Sequence, residues 1–396
     1  MDYRPDASCP LDGLRVIDIS RLVAGNMVSL QLADFGAEVI KIEPPGPGDA
    51  LRAWGAAGIA AQWKVYARNK KSVVLDLRKG AGRDLLLRLV ETADAFIENF
   101  RAGTLEAMGI GPDVLHARRP DLIIVRVTGF GQTGPYRDRP GFGTLVEAMS
   151  GFAAKTGAAD RPPTLPPLAL ADSVAGLYGA FATMVALRER EVKGGKGQVI
   201  DLSLLEPMVS ILGADPAVYK ATGRIPSRTG NRSQTTAPRN TYETKDGKWV
   251  AMSGSMQSMT ERLFRAIGRA DMVDDPKFKN NTARIKHVEE LDGIIQAHVG
   301  ARTLEENLAF FNEQEITAGP VYDVSQLVQD PHIQETGRGV LVELPDPDIP
   351  GGLPMHNIIP RLSGTPGAIR HPAPHQGQHT VEILTGIGVG LDELQR

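Results

Sequence analysis

The chain has 396 residues, 42% of them hydrophobic and 23% charged, with 44 Lys and Arg against 47 Asp and Glu and a formal net charge of −3. That length predicts two or three domains with cores of their own, and that composition excludes a disordered chain. The near-neutral balance argues against a nucleic-acid partner, the single Cys9 excludes a disulfide framework or multi-cysteine metal site, and no apolar run approaches the roughly 18–20 residues of a membrane span. The opening Met1-Asp2-Tyr3-Arg4-Pro5-Asp6 lacks the basic-then-apolar order of a secretory signal, so the expected compartment is cytoplasmic.

In chain order, β-branched and apolar runs at 14–19, 38–42, 72–77, 95–97 and 122–127 predict strands. Between or after them, apolar residues three or four apart at 27–35, 82–92, 104–108 and 112–117 predict helices. That alternation implies an α/β fold with a mostly parallel sheet. Helical patterns follow at 142–153 and 173–187, then a strand at 197–202 running into a helix from Ser203. From about 223 to 237 the chain is rich in Gly, Ser, Thr, Asn and Arg and reads as a long loop. Lys245-Asp246-Gly247-Lys248 supplies the Asp-Gly turn of a hairpin between strands at 241–243 and 249–252. Helices are expected at 258–267, 287–298 and 304–312, then a strand at 339–344, a Pro- and Gly-rich segment at 345–377 and a short helix at 379–385. The expected domains are a large one, 1–222 completed by 332–396, and a small α/β one with its linkers, 223–331.

A parallel sheet raises the question of a dinucleotide, whose fingerprint needs Gly-x-Gly-x-x-Gly after the first strand. The turn here, Ser20-Arg21-Leu22-Val23-Ala24-Gly25-Asn26, has one glycine, and no Walker, His-Glu-x-x-His or Gly-x-Ser-x-Gly pattern occurs. Three features say more. Arg68, Lys70, Lys71, Arg78 and Lys79 surround the strand at 72–77. Such a charge run is most often a solvated face, but at a strand entrance its ammonium groups can also meet a polyphosphate. Glu98-Asn99-Phe100-Arg101 ends another strand, where open α/β sheets collect ligands; a polar turn with Asn99 capping the next helix fits the spacing equally. Asp172 is the one charged residue between Arg161 and Arg188. Its pattern favours a helix N-cap, and a carboxylate kept ionised at a helix start is also a usable nucleophile.

Further segments join these. They are Leu11-Asp12-Gly13-Leu14-Arg15-Val16-Ile17-Asp18, Asp34-Phe35-Gly36-Ala37-Glu38-Val39-Ile40-Lys41-Ile42-Glu43 with Gly48-Asp49 and Arg52 after it, Asn69-Lys70-Lys71-Ser72, and Thr128-Gly129-Phe130-Gly131-Gln132-Thr133-Gly134-Pro135-Tyr136. Gly194-Gly195-Lys196-Gly197-Gln198, Ala318-Gly319-Pro320-Val321-Tyr322 and Gln376-Gly377-Gln378-His379-Thr380 continue the series. Together, in collinear order over nearly the whole chain, they resemble the family III CoA-transferases, whose superfamily includes formyl-CoA:oxalate and carnitine CoA-transferases and alpha-methylacyl-CoA racemase. The resemblance implies a large Rossmann-like domain, a small domain, a chain that returns to the large one, and an interlocked homodimer. It puts the catalytic aspartate at Asp172 and a coenzyme A site at Val23, Ala24, Asn69, Lys70, Lys71, Asn99, Phe100, Met108 and Arg139. Trp54, Gly131 and Gln132 fall near the acyl pocket, although a packing role suits Trp54 as well. Coenzyme A thioester is then a substrate, with no resident cofactor and no metal.

The implied reaction moves CoA from an acyl-CoA donor to a carboxylic acid through an acyl-aspartyl anhydride and an aspartyl-CoA thioester. Arg137 and Arg139 suggest a dicarboxylate such as succinate as one partner. The racemase branch pairs a histidine with the aspartate, and this chain has no histidine from 117 through 286, which favours transfer. A non-catalytic subunit of a heteromeric transferase is the other alternative. The glycine run that closes over some members is reduced to Gly230 in the segment 230–238, so no lid residues carry over.

Overall fold

The computed structural model describes residues 1–394. It divides the chain into two compact units. The larger holds residues 1–152, 165–221 and the chain from His332 on; the smaller holds 153–164 and 222–331. Residues 153–164, expected in the large domain, belong to the smaller unit because they pair with its long loop. Gly230 N donates to Gly157 O at 2.9 Å and Arg228 Nε to Ala158 O at 3.2 Å.

The larger unit begins with β1 (Arg15–Asp18), α1 (Leu22–Asp34), β2 (Glu38–Glu43), α2 (Ala61–Tyr66), β3 (Lys70–Val74), α3 (Gly80–Val90) and β4 (Ala95–Glu98). It continues through α4 (Thr104–Ala107), α5 (Pro112–Arg118), β5 (Ile123–Thr128) and α6 (Gly143–Met149) and, after α7 (Phe152–Lys155), whose last three residues belong to the smaller unit, through α8 (Leu170–Lys193) and β6 (Gln198–Ser203). The six strands form one parallel sheet in the order β3-β2-β1-β4-β5-β6. Neighbouring side chains on a strand point to opposite faces, and both faces of β1, β2, β4 and β5 are covered, so their apolar residues fall on both sides of the sheet and charges such as Lys41 and Arg126 are buried among them. Val16, Val39, Ile123 and Val125 pack under α1 and α8, while Ile17, Ile40, Phe96 and Ile124 pack under α3 and α5. Two register differences matter. β3 begins at Lys70, two residues before the expected strand, and α8 begins at Leu170, three before the expected helix.

α8 has an 18-residue window with mean hydropathy 1.5, so one helix does meet the length and apolarity of a membrane span, contrary to expectation. Its two faces explain the pattern. Ala171, Ala175, Gly176, Gly179 and Ala180 are buried, whereas Leu177, Phe181, Val185 and Val192 are exposed. The small residues let α8 lie close against α1, since any side chain on Gly179 would start 2.6 Å from Val28 Cγ2 and 3.0 Å from Leu202 Cδ2. Two further helices, α9 (Leu205–Ile211) and α10 (Asp215–Thr222), follow β6.

The smaller unit contains β7 (Arg239–Glu243), β8 (Trp249–Ser253), α11 (Gln257–Ala266), α12 (Asn281–Lys286), α13 (Val288–Gly300), α14 (Leu304–Glu313), β9 (Ala318–Pro320) and α15 (Val324–Leu327). Its antiparallel sheet runs β7-β8-β9 over a core with Tyr242, Phe264, Phe278, Leu291 and Phe311. Back in the larger unit, β10 (Leu341–Leu344) pairs with β11 (Leu353–His356), a strand hidden in the Pro- and Gly-rich segment. The helices α16 (Thr380–Gly386) and α17 (Leu391–Leu394) end the described chain, with α16 packed against β3.

Replacing Gly179 by Leu overpacks the α1–α8 contact. The expected loss of stability is about 1–3 kcal/mol or more, read as a lower urea midpoint for unfolding.

Candidate active site

The strand order turns back on either side of β1, and the crevice between the carboxyl ends of β1 and β4 is where open α/β sheets bind ligands. Two cavities open there. A small one of about 90 Å³ is walled by Ala24 after β1, Asn99 and Phe100 after β4, Arg137 and Arg139 before α6, and Asp172 of α8. A larger one of about 450 Å³ is walled by Arg21, Pro44, Asp76, Arg78, Phe100 and Met108. Phe100 lines both. The larger suits a ligand of nucleotide size, the smaller only a few heavy atoms.

The turn after β1 is held from below by charges with no access to solvent. Lys41 Nζ lies 3.2 Å from Asp18 Oδ1 and 3.2 Å from Asp49 Oδ2, and it also donates to Ser20 O. Asp49 in turn accepts from Leu22 N at 3.0 Å and from Asn26 Nδ2 at 2.8 Å. Lys70 Nζ donates to Asn26 O and Oδ1, both at 3.0 Å. Burial opposes the charge on Lys41, but its two aspartates raise its pKa above the ordinary lysine value. Lys70, with only Asp18 at 3.7 Å, is pulled by burial down to about 7. These bonds keep Leu22 at φ 61°, a left-handed conformation that a branched side chain rarely adopts. The reward of that turn is that Ala24, two residues on, offers a backbone hydrogen bond to the Asp172 carboxylate.

A second buried acid fixes the wall from β4. Glu98 Oε2 accepts from Phe100 N at 2.7 Å, and Arg126 Nε donates to Glu98 Oε1 at 2.8 Å. Burial pushes Glu98 up to about 7 despite Arg126. Asn99 accepts from Arg21 N at 2.8 Å and donates to Arg21 O at 2.7 Å, tying the two turns together.

Asp172 is the third residue of α8, not its N-cap, a position taken by Ala169. The first-turn amide of Ala171 is satisfied from another helix, donating to Glu147 Oε1 at 3.0 Å. Asp172 is pushed up to about 6, first by burial and then by the charge of Glu147.

Of the residues expected at a site, Ala24, Asn99, Phe100, Arg139 and Asp172 line the small cavity, and Met108 lines the large one. Arg139 lays its guanidinium 3.7 Å from the centre of the Tyr136 ring. Asn69, Lys70 and Lys71 line neither. β3 starts at Lys70, so this turn sits at the amino end of the strand, away from the ligand crevice. Asn69 bonds Asp34 and Ala368, Lys70 serves the buried network, and Lys71 pairs with Glu38 and Glu382. These bonds engage all three side chains within the chain itself, whereas Arg78, at the other end of the strand, lines the larger cavity. Val23 points into a core with Leu51 and Trp63, and Trp54 is 44% exposed and walls neither cavity. Gly131 and Gln132 also stand apart, their amides donating to Thr128 Oγ1 and the Asp201 carboxylate. Arg78 and Arg101 lay within motifs that the sequence singled out, but the resemblance assigned them no role, and Glu147 was not picked out. A lone acid in the apolar run Gly143-Thr144-Leu145-Val146-Glu147-Ala148-Met149 is the one signal that marked Glu147.

A family model described as CoA-transferase family III matches residues 11–380. The chain is 42% identical over 387 residues to the succinyl-CoA--D-citramalate CoA-transferase of Chloroflexus aurantiacus, covering 97% of this chain and 95% of that one. It is 37% identical over 393 residues to a succinyl-CoA--L-malate CoA-transferase alpha subunit of Chloroflexus aurantiacus, covering 98% and 91%. Among solved structures it superposes on a CAIB/BAIF family protein from Brucella suis with a TM-score of 0.85, at 32% identity and covering 96% and 100%.

The buried network yields a prediction. Lys41→Met leaves Asp18 and Asp49 without their shared cation and costs about 3–5 kcal/mol, measured by equilibrium urea unfolding.

Proposed function

Because the chain belongs to CoA-transferase family III, we propose that its larger unit binds the coenzyme across the two cavities and that Asp172 is the nucleophile. The supporting observation is the position of Asp172: beside a backbone donor in a small cavity that shares Phe100 with the larger one. The nucleotide portion of CoA occupies the larger cavity near Arg21, Arg78 and Met108. The pantetheine arm passes Phe100, and the thioester reaches Asp172.

An Asp172 oxygen attacks the donor's thioester carbonyl, the C–S bond breaks, and CoA leaves as thiolate with a mixed anhydride on the aspartate. The thiolate then attacks the aspartyl carbonyl, the anhydride C–O bond breaks, and the donor acid leaves from an aspartyl-CoA thioester. The acceptor carboxylate runs both steps in reverse, which restores Asp172. Every nucleophile is already an anion, so no external base is required, and confinement supplies the effective concentration. When the thiolate attacks the aspartyl carbonyl, the oxyanion forms on an Asp172 oxygen, and Ala24 N–H, which faces that carboxylate, is its donor.

The acceptor is a dicarboxylate of succinate type. Arg137 and Arg139 line the small cavity, and two of the relatives above are named for transfer from succinyl-CoA to citramalate or malate. The exposed Leu177, Phe181 and Val185 of α8 support an interlocked homodimer, because so apolar a face needs a cover. A cytoplasmic site of action belongs to the same proposal. One related chain is an alpha subunit, so assembly with a different partner is the second reading; transfer by the purified chain alone removes it.

Asp172→Asn keeps the shape of the side chain and is expected to lower kcat by roughly a thousandfold or more. Mass spectrometry of hydroxylamine-quenched turnover should show a modified peptide containing residue 172. Full activity in the variant would end the proposed mechanism. In wild type, kcat/KM falls as pH drops through about 6, because protonated Asp172 cannot attack. Arg137→Gln is expected to raise KM for succinate roughly tenfold, the value of one charge-assisted bond of about 1.5 kcal/mol, while leaving a monocarboxylate unaffected. Equal effects on both acids would remove the dicarboxylate reading.

A further inference from the structure

One buried acid beside the small cavity has no part in the transfer just described. Glu147 is 3% exposed, and its carboxylate pairs with no cation among the described residues. Burying a carboxylate in that way costs several kcal/mol unless other interactions offset it. Its recorded partner is the Ala171 amide, at 3.0 Å from Oε1, one residue before Asp172. One turn earlier, α6 approaches Asp172 itself. A side chain at Gly143 would run into Asp172 Oδ2, so glycine there allows the close approach. Gly143 and Glu147 are four residues apart and share one face of α6. That face is therefore applied to the first turn of α8 at two points.

We propose that Glu147 is a positioning residue for the transfer reaction: it holds the first turn of α8 through Ala171, and its negative charge makes the neighbouring Asp172 a stronger nucleophile. The inference rests on Asp172 being the nucleophile. Arg101, Arg137 and Arg139 also line the cavity, and Asp201 and Glu206 stand near the end of β6, engaged by Gln132 N and Ser203 Oγ. α1 brings only Asp34, at its far end and paired with Arg68. Of all these charges, Glu147 is the one that shifts Asp172, adding to the effect of burial to bring it to about 6. Basicity and nucleophilicity rise together within one class of nucleophile, so a carboxylate that holds its proton more tightly attacks faster once ionised.

Glu147→Gln keeps the hydrogen-bond acceptor and removes the charge. The expected result is an acid limb of kcat/KM moved down by about one pH unit, within the range for a nearby like charge. At pH 8, kcat should fall about threefold, taking a Brønsted coefficient of about 0.4–0.5 as for thiolates. Glu147→Asp restores the charge and should return the limb toward wild type, which a merely structural role would not do. Urea midpoints for both variants report any loss of packing separately. An acid limb unmoved in Glu147→Gln, with Asp172→Asn inactive, overturns this inference and leaves the reading of Asp172 standing. Activity in Asp172→Asn removes both.

Discussion

Two aspartates and two lysines sealed beneath the carboxyl end of β1 decide where the chain can turn, and the candidate site is built on that turn. Asp18 and Asp49 come from different segments and would repel each other if Lys41 did not stand between them. Because the carboxylates reach out to Ser20, Leu22, Asn26 and Leu51, neutralising them also fixes backbone. A buried ion cluster is weak evidence for stability as such, since apolar residues of similar volume often do as well. Its use here is geometric. It keeps Leu22 in a conformation that local preferences oppose, and so it fixes the direction of the Ala24 amide.

The opposite wall obeys a different constraint. Asp172 can face Ala24 only if α8 comes very close to α1, and the run of Ala and Gly on the inner face of α8 makes that possible. The same choice leaves larger side chains on the outer face of the helix. An apolar composition high enough to suggest a membrane span thus comes from two separate demands, close packing inside and an apolar face outside. Glycine at 143 repeats the device on α6, and these contacts bring a nucleophile candidate, a backbone donor and a second carboxylate into one small volume.

Much of this was legible from residues alone, and the exceptions have physical reasons. β1, β2, β4 and β5 announce themselves by their clusters of β-branched and apolar residues, which strands buried on both faces require. β3 does not, since its first residues, Lys70, Lys71 and Ser72, are polar and yet sit in the sheet. The turn does lie at the strand entrance, as its position in the sequence implied, but Lys70 is buried against Asn26 and Lys71 is paired with Glu38 and Glu382. Charge in a sequence does not show whether an aspartate waits beneath it. Asp172 was visible as an isolated acid before an apolar helix, but its reading as a cap failed because the cap function passed to Glu147, 25 residues earlier. Long-range satisfaction of a helix end leaves no local pattern. β11 was hidden for a related reason: Pro354 sits within it, and a two-stranded pairing at a sheet edge tolerates proline where a central strand would not.

The electrostatics of Asp172 bear directly on why a carboxylate can serve in the proposed exchange at all. An ordinary aspartate, with a pKa of about 3.9, is about 4.6 units less basic than a thiol of about 8.5, so displacing a thiolate from carbon with it is strongly uphill. Raising Asp172 to about 6 narrows that gap to about 2.5 units while leaving most of the group ionised at neutral pH. A still higher value would protonate the nucleophile, and a lower one would leave the anhydride too costly to form. Burial alone pushes in the required direction but also weakens every charged state nearby, including the departing thiolate. A fixed neighbouring charge and a backbone donor act on the one carboxylate, in opposite senses, and together they can set its basicity more selectively than burial can. In the proposed exchange that division of labour falls to Glu147, bonded to the amide just before Asp172, and to Ala24, while Arg101, Arg137 and Arg139 of the same cavity lining are left for the free carboxylate of an incoming acid.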